Sequence, residues 1–185
     1  MRVFIDPGHG GLDPGATAND LCEKDLVLEI ASRLSTQLAS HGHLISMSRY
    51  TDKFLELSHR ASLANDWLAD VFLSIHLNAD PDPDEPGMPV AEGSEIWVYP
   101  KSFDGWRLAT AISQRTKLSF PDRPFRGIKE ARFAVLRLTR MPAVLIELAF
   151  IDNPLSVRLK DERIQELIAS TISEGVKDYF SEQNG

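Results

Sequence analysis

The chain has 185 residues, 43% of them hydrophobic and 25% charged, with a formal charge of −7. That length suits one domain with a core that needs no staples, and a lone Cys22 rules out an intramolecular disulfide or a Cys-based zinc finger. The acidic balance argues against a nucleic-acid partner; no apolar run reaches the roughly 18–20 residues of a membrane span, and no export signal opens the chain.

Residues 2–5 read as a short buried strand running into a loop rich in Gly and Pro, DPGHGGLDPG. A helix is predicted over 21–40, where Val27, Ile30, Ala31, Leu34 and Leu38 recur at helical spacing and Gly42 supplies the stop. Residues 44–48 suit a strand, and 57–69 a helix with Leu57, Ala61, Ala64 and Leu68 on one face. VFLSI at 71–75 is an apolar run of the central-strand kind, and 78–93, rich in Pro and Asp without periodicity, is a loop. Residues 95–99 alternate like a strand, 106–118 are helical and 144–146 form another strand core. A closing helix over 162–180 points Ile164, Leu167, Ile168, Ile172 and Val176 inward. Strands alternating with helices predict one α/β sandwich domain over 1–185, with a largely parallel sheet.

In open α/β sheets the ligand site lies outside the carboxyl ends of the strands. Three reactive side chains come directly after buried strands: His9, His76 and Glu147. Glu23, in the first turn of the predicted helix and on its inward stripe, is a fourth candidate beside the DPGHGG loop. A first-turn Glu also serves simply to complement the helix dipole. Two imidazoles, one carboxylate and an open position make a catalytic zinc site, and a further carboxylate can act as general base. Imidazole favours zinc over magnesium or calcium. The gaps of 14 and 53 residues match no local motif, so spacing alone leaves a metal site and plain capping histidines both open. His41 and His43 flank the helix-ending Gly42 and His59 sits on an exposed-looking face; all three read as structural or solvated. Cys22 adjoins Glu23, whose charge would raise the thiol's pKa. Ser74 lacks the G-x-S-x-G elbow.

Five segments then stand in a recognisable order: IDPGHGGLDPGA, EKDLVLEIASRL, SRYTDKFLELSHRASLAN, ADVFLSIHLNA and RMPAVLIELAFIDNP. Over about residues 2–179 the chain resembles the zinc-dependent N-acetylmuramoyl-L-alanine amidases, cell-wall hydrolases of bacteria and phages. The resemblance implies a mixed, mostly parallel sheet flanked by helices, one Zn2+ ion held by His9, Glu23 and His76, and Glu147 as the catalytic glutamate. It implies hydrolysis of the amide between N-acetylmuramic acid and the stem peptide's L-alanine, with Glu147 moving the proton from water to the leaving amine. The expected partner is peptidoglycan or its muropeptides. Action on the cell wall without a signal peptide suits either a phage-type release or a domain of an exported protein. A wall-binding module without turnover and a zinc peptidase of the stem peptide are the alternatives; Glu147 speaks against the first, since a binding module needs no base.

Leu148 and Ala149 depart from the small residue and glycine that commonly come after the glutamate, a change read as local packing. Four prolines in 78–93 leave no room for a blocking helix, so the site is expected to be open and to need no activator protein. Asn78 suits a contact to substrate or to a group behind the site, or else a turn cap. Asp6 suits either the orienting of a ligand histidine or the closing of the DPG turn. Charge is uneven: nine acidic residues face Lys101 alone over 66–104, and nine basic residues face two acidic ones over 105–140. Within that basic stretch Arg126, Lys129, Arg132 and Arg137 are candidate contacts for substrate carboxylates, or else a solvated face.

Overall fold

In the computed structural model, which describes residues 1–82 and 90–183, the first buried run is strand β1 (Arg2–Pro7). A small hairpin, β2 (Thr17–Ala18) and β3 (Leu21–Cys22), leads into helix α1 (Glu23–Ser40). Then come β4 (Leu44–Met47), α2 (Leu57–Asp66), β5 (Val71–Asn78) and β6 (Ser94–Val98). Helix α3 (Phe103–Ser119), β7 (Phe125–Glu130), α4 (Ala134–Leu138) and β8 (Ala143–Phe150) come next. A 3-10 turn (Pro154–Lys160) and the long helix α5 (Glu162–Gln183) end the described chain.

Six strands form one sheet in the order β4-β1-β5-β8-β6-β7. The first four run parallel, β6 joins β8 antiparallel, and β7 joins β6 in parallel. The sheet is therefore mixed and mostly parallel, as the resemblance implies. β1, β5 and β8 are buried on both faces because helices cover both. On one face Val3, Ile5, Leu73, Ile75, Val144 and Ile146 pack against α1, α3 and α5. On the other a smaller cluster of Phe4, Phe72, Ala143 and Leu145 meets Ala64 of α2 and Val135 and Leu136 of α4. This second face carries two short helices, which leaves the carboxyl ends of its strands uncovered.

Several element boundaries differ from the sequence reading, each for a local reason. α1 begins at Glu23 rather than Leu21, because Asn19 and Asp20 take φ of 52° and 55° and close a two-residue turn between β2 and β3. α2 stops at Asp66 and Leu68 turns left-handed at φ 56°. Leu57 and Leu68 are exposed; the buried face of α2 is Arg60, Ala61 and Ala64. α3 starts earlier, at a Ser102 cap whose side chain accepts from Gly105 N. On α5, Leu167 is exposed while Ile168, Ile172 and Val176 are buried. β7, α4 and the 3-10 turn carry too little apolar periodicity to be predicted. The expectation about room for a blocking helix falls partly on residues 83–89, outside the described residues.

Candidate active site

Strand alternation decides which side chains reach the thinly covered face. Leu73, Ile75 and Leu77 of β5 belong to the larger core, so Phe72, Ser74 and His76 point the other way. His76 pairs in register with Glu147 of β8, and Glu147 with Glu95 of β6. The three form a row across neighbouring strands near the exposed strand ends. Both β5 and β8 continue past the points where the sequence reading ended them, so His76 and Glu147 lie inside strands. The backbone ladder holds their Cα atoms.

His9 lies in the loop after β1, at a left-handed φ of 59°, and two arginines hold that loop. Pro7 O accepts from Arg49 Nε at 3.0 Å and Arg60 Nη1 at 2.8 Å. Gly8 O accepts from Arg49 Nη2 at 2.7 Å and His9 O from Arg60 Nη2 at 2.6 Å. Both arginines are 2% exposed; each guanidinium exchanges water for carbonyls fixed in place. Glycine is required where the rings crowd. A Cβ at Gly8 would come within 2.2 Å of the His76 ring, and one at Gly15, which sits at φ 67°, would lie 2.5 Å from Glu23 Oε2.

Glu23 opens α1 and is buried. Its Oε2 accepts from Ala16 N at 2.8 Å, and its Oε1 from Leu77 N at 2.9 Å. The same Oε1 lies 3.0 Å from His76 Nδ1 and 3.1 Å from His9 Nε2. Burial opposes the charge, but the two imidazoles outweigh it and take the carboxyl down to about 2. Helix-dipole complementation is thus the lesser part of its role. His9 Nδ1 faces Asp13 Oδ2 at 2.9 Å, and Asp13 Oδ1 accepts from Gly15 N at 3.1 Å. Burial lowers the His9 pKa while Glu23 and Asp13 raise it, and the balance is upward. One donor atom from each of His9, Glu23 and His76 lies within 4.8 Å of the others. Two imidazole nitrogens and one carboxylate oxygen so placed fit the donor set of a catalytic zinc site.

Glu147 contrasts with Glu23. Its Oε2 is buried and has no hydrogen-bond partner among the described residues. Burial pushes the carboxyl up to about 7; Glu23 and Glu95 add to this and the two histidines oppose it. It lines an open cleft of about 360 Å³, together with His9, Asp13, His76, Phe54 and Phe133. A carboxyl poised near neutrality beside a cluster that could hold a metal suits proton transfer.

The remaining candidates separate. Asp6 neither orients a ligand histidine nor closes its own turn: it accepts from Ser48 Oγ, Ser74 Oγ and Arg60 Nη1 in the buried interior. Asp13, which sequence reasoning passed over, is the carboxylate on His9. Asn78 Oδ1 accepts from Ala79 N, as a turn cap does, and its Nδ2 donates to Glu95 Oε2 behind the site. Arg126 and Lys129 both pair with Glu95. Arg132 is exposed between β7 and α4, and Arg137 lines a separate depression with Tyr99, Ser102 and Ala143 at the opposite end of β8. The Cys22 thiol is raised first by burial and then by Asp25, not by Glu23, whose carboxylate turns to the histidines. His41 bridges α1 to Ser173 and Glu174 of α5, the His43 ring lies tilted against Phe180 and His59 is exposed.

Residues 3–178 match the family described as N-acetylmuramoyl-L-alanine amidase. The chain is 38% identical over 182 residues to the N-acetylmuramoyl-L-alanine amidase LytC of Bacillus subtilis, covering 96% of this chain and 35% of LytC. It is 38% identical over 189 residues to the endolysin of Bacillus phage SPP1, covering 97% of this chain and 66% of the endolysin. It spans about a third of the length of LytC and just under two thirds of the endolysin. Among solved structures, the CwlD amidase of Clostridioides difficile, in complex with the GerS lipoprotein, superposes with a TM-score of 0.89 at 29% identity, covering 98% of each chain.

Proposed function

The chain belongs to the N-acetylmuramoyl-L-alanine amidase family, and from that premise we propose that it is a zinc-dependent hydrolase of the amide joining N-acetylmuramic acid to L-alanine in peptidoglycan. The observation that carries the reading is the convergence of His9, Glu23 and His76 within 4.8 Å, beside Glu147, whose buried Oε2 has no hydrogen-bond partner among the described residues.

His9, Glu23 and His76 would hold the ion, which supplies Lewis acidity toward the scissile carbonyl and toward the attacking water. The chain's own groups do the rest. Asp13 holds the His9 ring by Nδ1 and so presents Nε2 inward. The amides of Ala16 and Leu77 fix both oxygens of Glu23. Glu147, in its carboxylate form, takes the proton of the attacking water and passes it to the departing alanine amine. Phe54, Leu57 and Phe133 offer the substrate an apolar wall of the cleft.

The substrate lies outside the cytoplasmic membrane, which places the site of action at the cell wall. Among the described residues no helix is long and apolar enough to cross a membrane. We further propose that the purified chain cleaves without an added protein.

The test is digestion of purified peptidoglycan by the zinc-loaded chain and by a chelated sample, with mass spectrometry of the products. Stem peptides with a free alanine N-terminus and intact muramic lactyl groups are expected, lost on chelation and regained with zinc. New carboxyl termini within the stem peptide would identify a peptidase instead. Binding to the wall with no products would identify a binding module. Cleavage only after a partner is added would overturn the unassisted reading.

A further inference from the structure

Arg126 Nε and Lys129 Nζ converge on one oxygen of Glu95, at 2.8 and 2.6 Å. Glu95 is 1% exposed, and its second oxygen accepts from Asn78 Nδ2 at 3.3 Å. A buried carboxylate needs a partner, and one cation would balance its charge. Here two do, and both remain open to solvent, with side chains 40% and 35% exposed. Against Glu95 alone one positive charge is in excess, and Asp80 also acts on Arg126 through its field.

The two cations are held in place rather than waving in solvent. The Arg126 guanidinium lies 5.0 Å from the Phe150 ring centroid, and Lys129 Nζ lies 5.2 Å from that of Trp97. Arg126 reaches Glu95 through Nε, which leaves the Nη pair, the fork that grips a carboxylate, available to a ligand among the described residues. Glu95 stands directly across the β6–β8 ladder from Glu147, so this excess charge lies one strand beyond the proposed base. Of the four basic candidates, Arg132 and Arg137 have no part in the cluster.

We propose that Arg126 and Lys129, fixed by Glu95, form a carboxylate-binding subsite that selects stem peptides whose second residue, next to the scissile alanine, carries a free carboxylate. Glu95 is the positioning residue of that subsite: removing its charge releases the fork without touching the substrate. The inference rests on the amidase reading above.

The experiment compares two muramoyl dipeptides that differ only in the second residue, a γ-linked glutamate with its α-carboxylate free or converted to the carboxamide. For the zinc-loaded chain the expected preference for the acid is about ten- to a hundredfold in kcat/KM, carried mostly by KM, as for a hydrogen bond to a charged group. The ratio should fall toward one in Arg126→Met/Lys129→Met and drop in Glu95→Gln, with Glu95→Asp regaining part of it. A variant that only loosens the fold would slow both substrates together and keep the ratio, and that result overturns the subsite. Equal use of acid and amide by the unaltered chain overturns it too, while leaving the amidase reading standing. Failure to cleave either at the muramoyl amide overturns both.

Discussion

Two carboxyl groups only a few side chains apart are set to opposite tasks by their surroundings. Glu23 receives two amide donors and faces two imidazoles, and falls to about 2; Glu147, half-buried, has no donor on its buried Oε2 among the described residues, and rises to about 7. The first suits a permanent anion, the second a group that gains and loses a proton. Glu147→Gln should therefore lower turnover by about 10²–10⁴-fold, the usual weight of a general acid–base, while zinc stoichiometry by atomic emission stays the same. Loss of zinc along with activity would reassign Glu147 to the ligand set. Asp13 acts through His9, so Asp13→Asn should weaken zinc binding by about 10–100-fold, read by competition with a chromophoric chelator. Its place in a Gly–Pro turn hid it from sequence reading, because an aspartate there already has a turn to make. His9, His76 and Glu147 were legible because each comes just after an apolar run.

At the scale of elements, the informative differences lie where backbone shape overrides side-chain periodicity. Leu68 continues the apolar stripe of α2 in sequence, yet its φ of 56° ends the helix and leaves it 69% exposed. A left-handed conformation costs a non-glycine residue about 1–2 kcal/mol, and glycine's greater freedom when unfolded returns about 0.4–1 of that. Leu68→Gly should accordingly stabilise the chain by up to about 1 kcal/mol, a rise of roughly 2–4 °C in melting temperature. A fall on thermal denaturation would mean that the Leu68 side chain contributes packing its exposure does not show. β7 eluded prediction for the opposite reason. FRGIKE has polar residues where a strand of the core would be apolar, because Arg126 and Lys129 serve the Glu95 carboxylate from the sheet's edge.

For the molecule as a whole, stability and site share the same buried charges. Arg60 binds Asp6, Pro7 O, His9 O and Leu55 O, joining β1, the ligand loop and the start of α2 into one unit. Arg60→Met removes the cation from Asp6 and frees the carbonyls of His9 and Leu55, while Pro7 O keeps Arg49. Breaking a buried pair in this way costs about 3–5 kcal/mol, measurable as a lower urea midpoint, and zinc affinity should fall with it. A loss within about 0.5 kcal/mol, as at an ordinary surface position, would show that Arg49 alone suffices to hold the loop. Sequence could not show this, since an arginine beside a histidine on an amphipathic helix looks like a solvated residue.

The amino-acid sequence by itself determined the class of fold and pointed to the four residues that the fold brings together at the candidate site. Periodic apolar runs dictate where strands and helices form, and the topology of α/β sheets gathers the residues at the carboxyl ends of neighbouring strands along a common edge. It also carried the motifs that tie the chain to its family. Only the tertiary structure decided which polar side chains answer one another. Asp13 on His9, Arg49 and Arg60 on three loop carbonyls, and Glu95 beneath Arg126 and Lys129 are contacts set by register, by left-handed turns and by burial. None of these is a local property of the chain: a carboxylate's role depends on the donors that folding brings to it, and those come from residues far away in sequence.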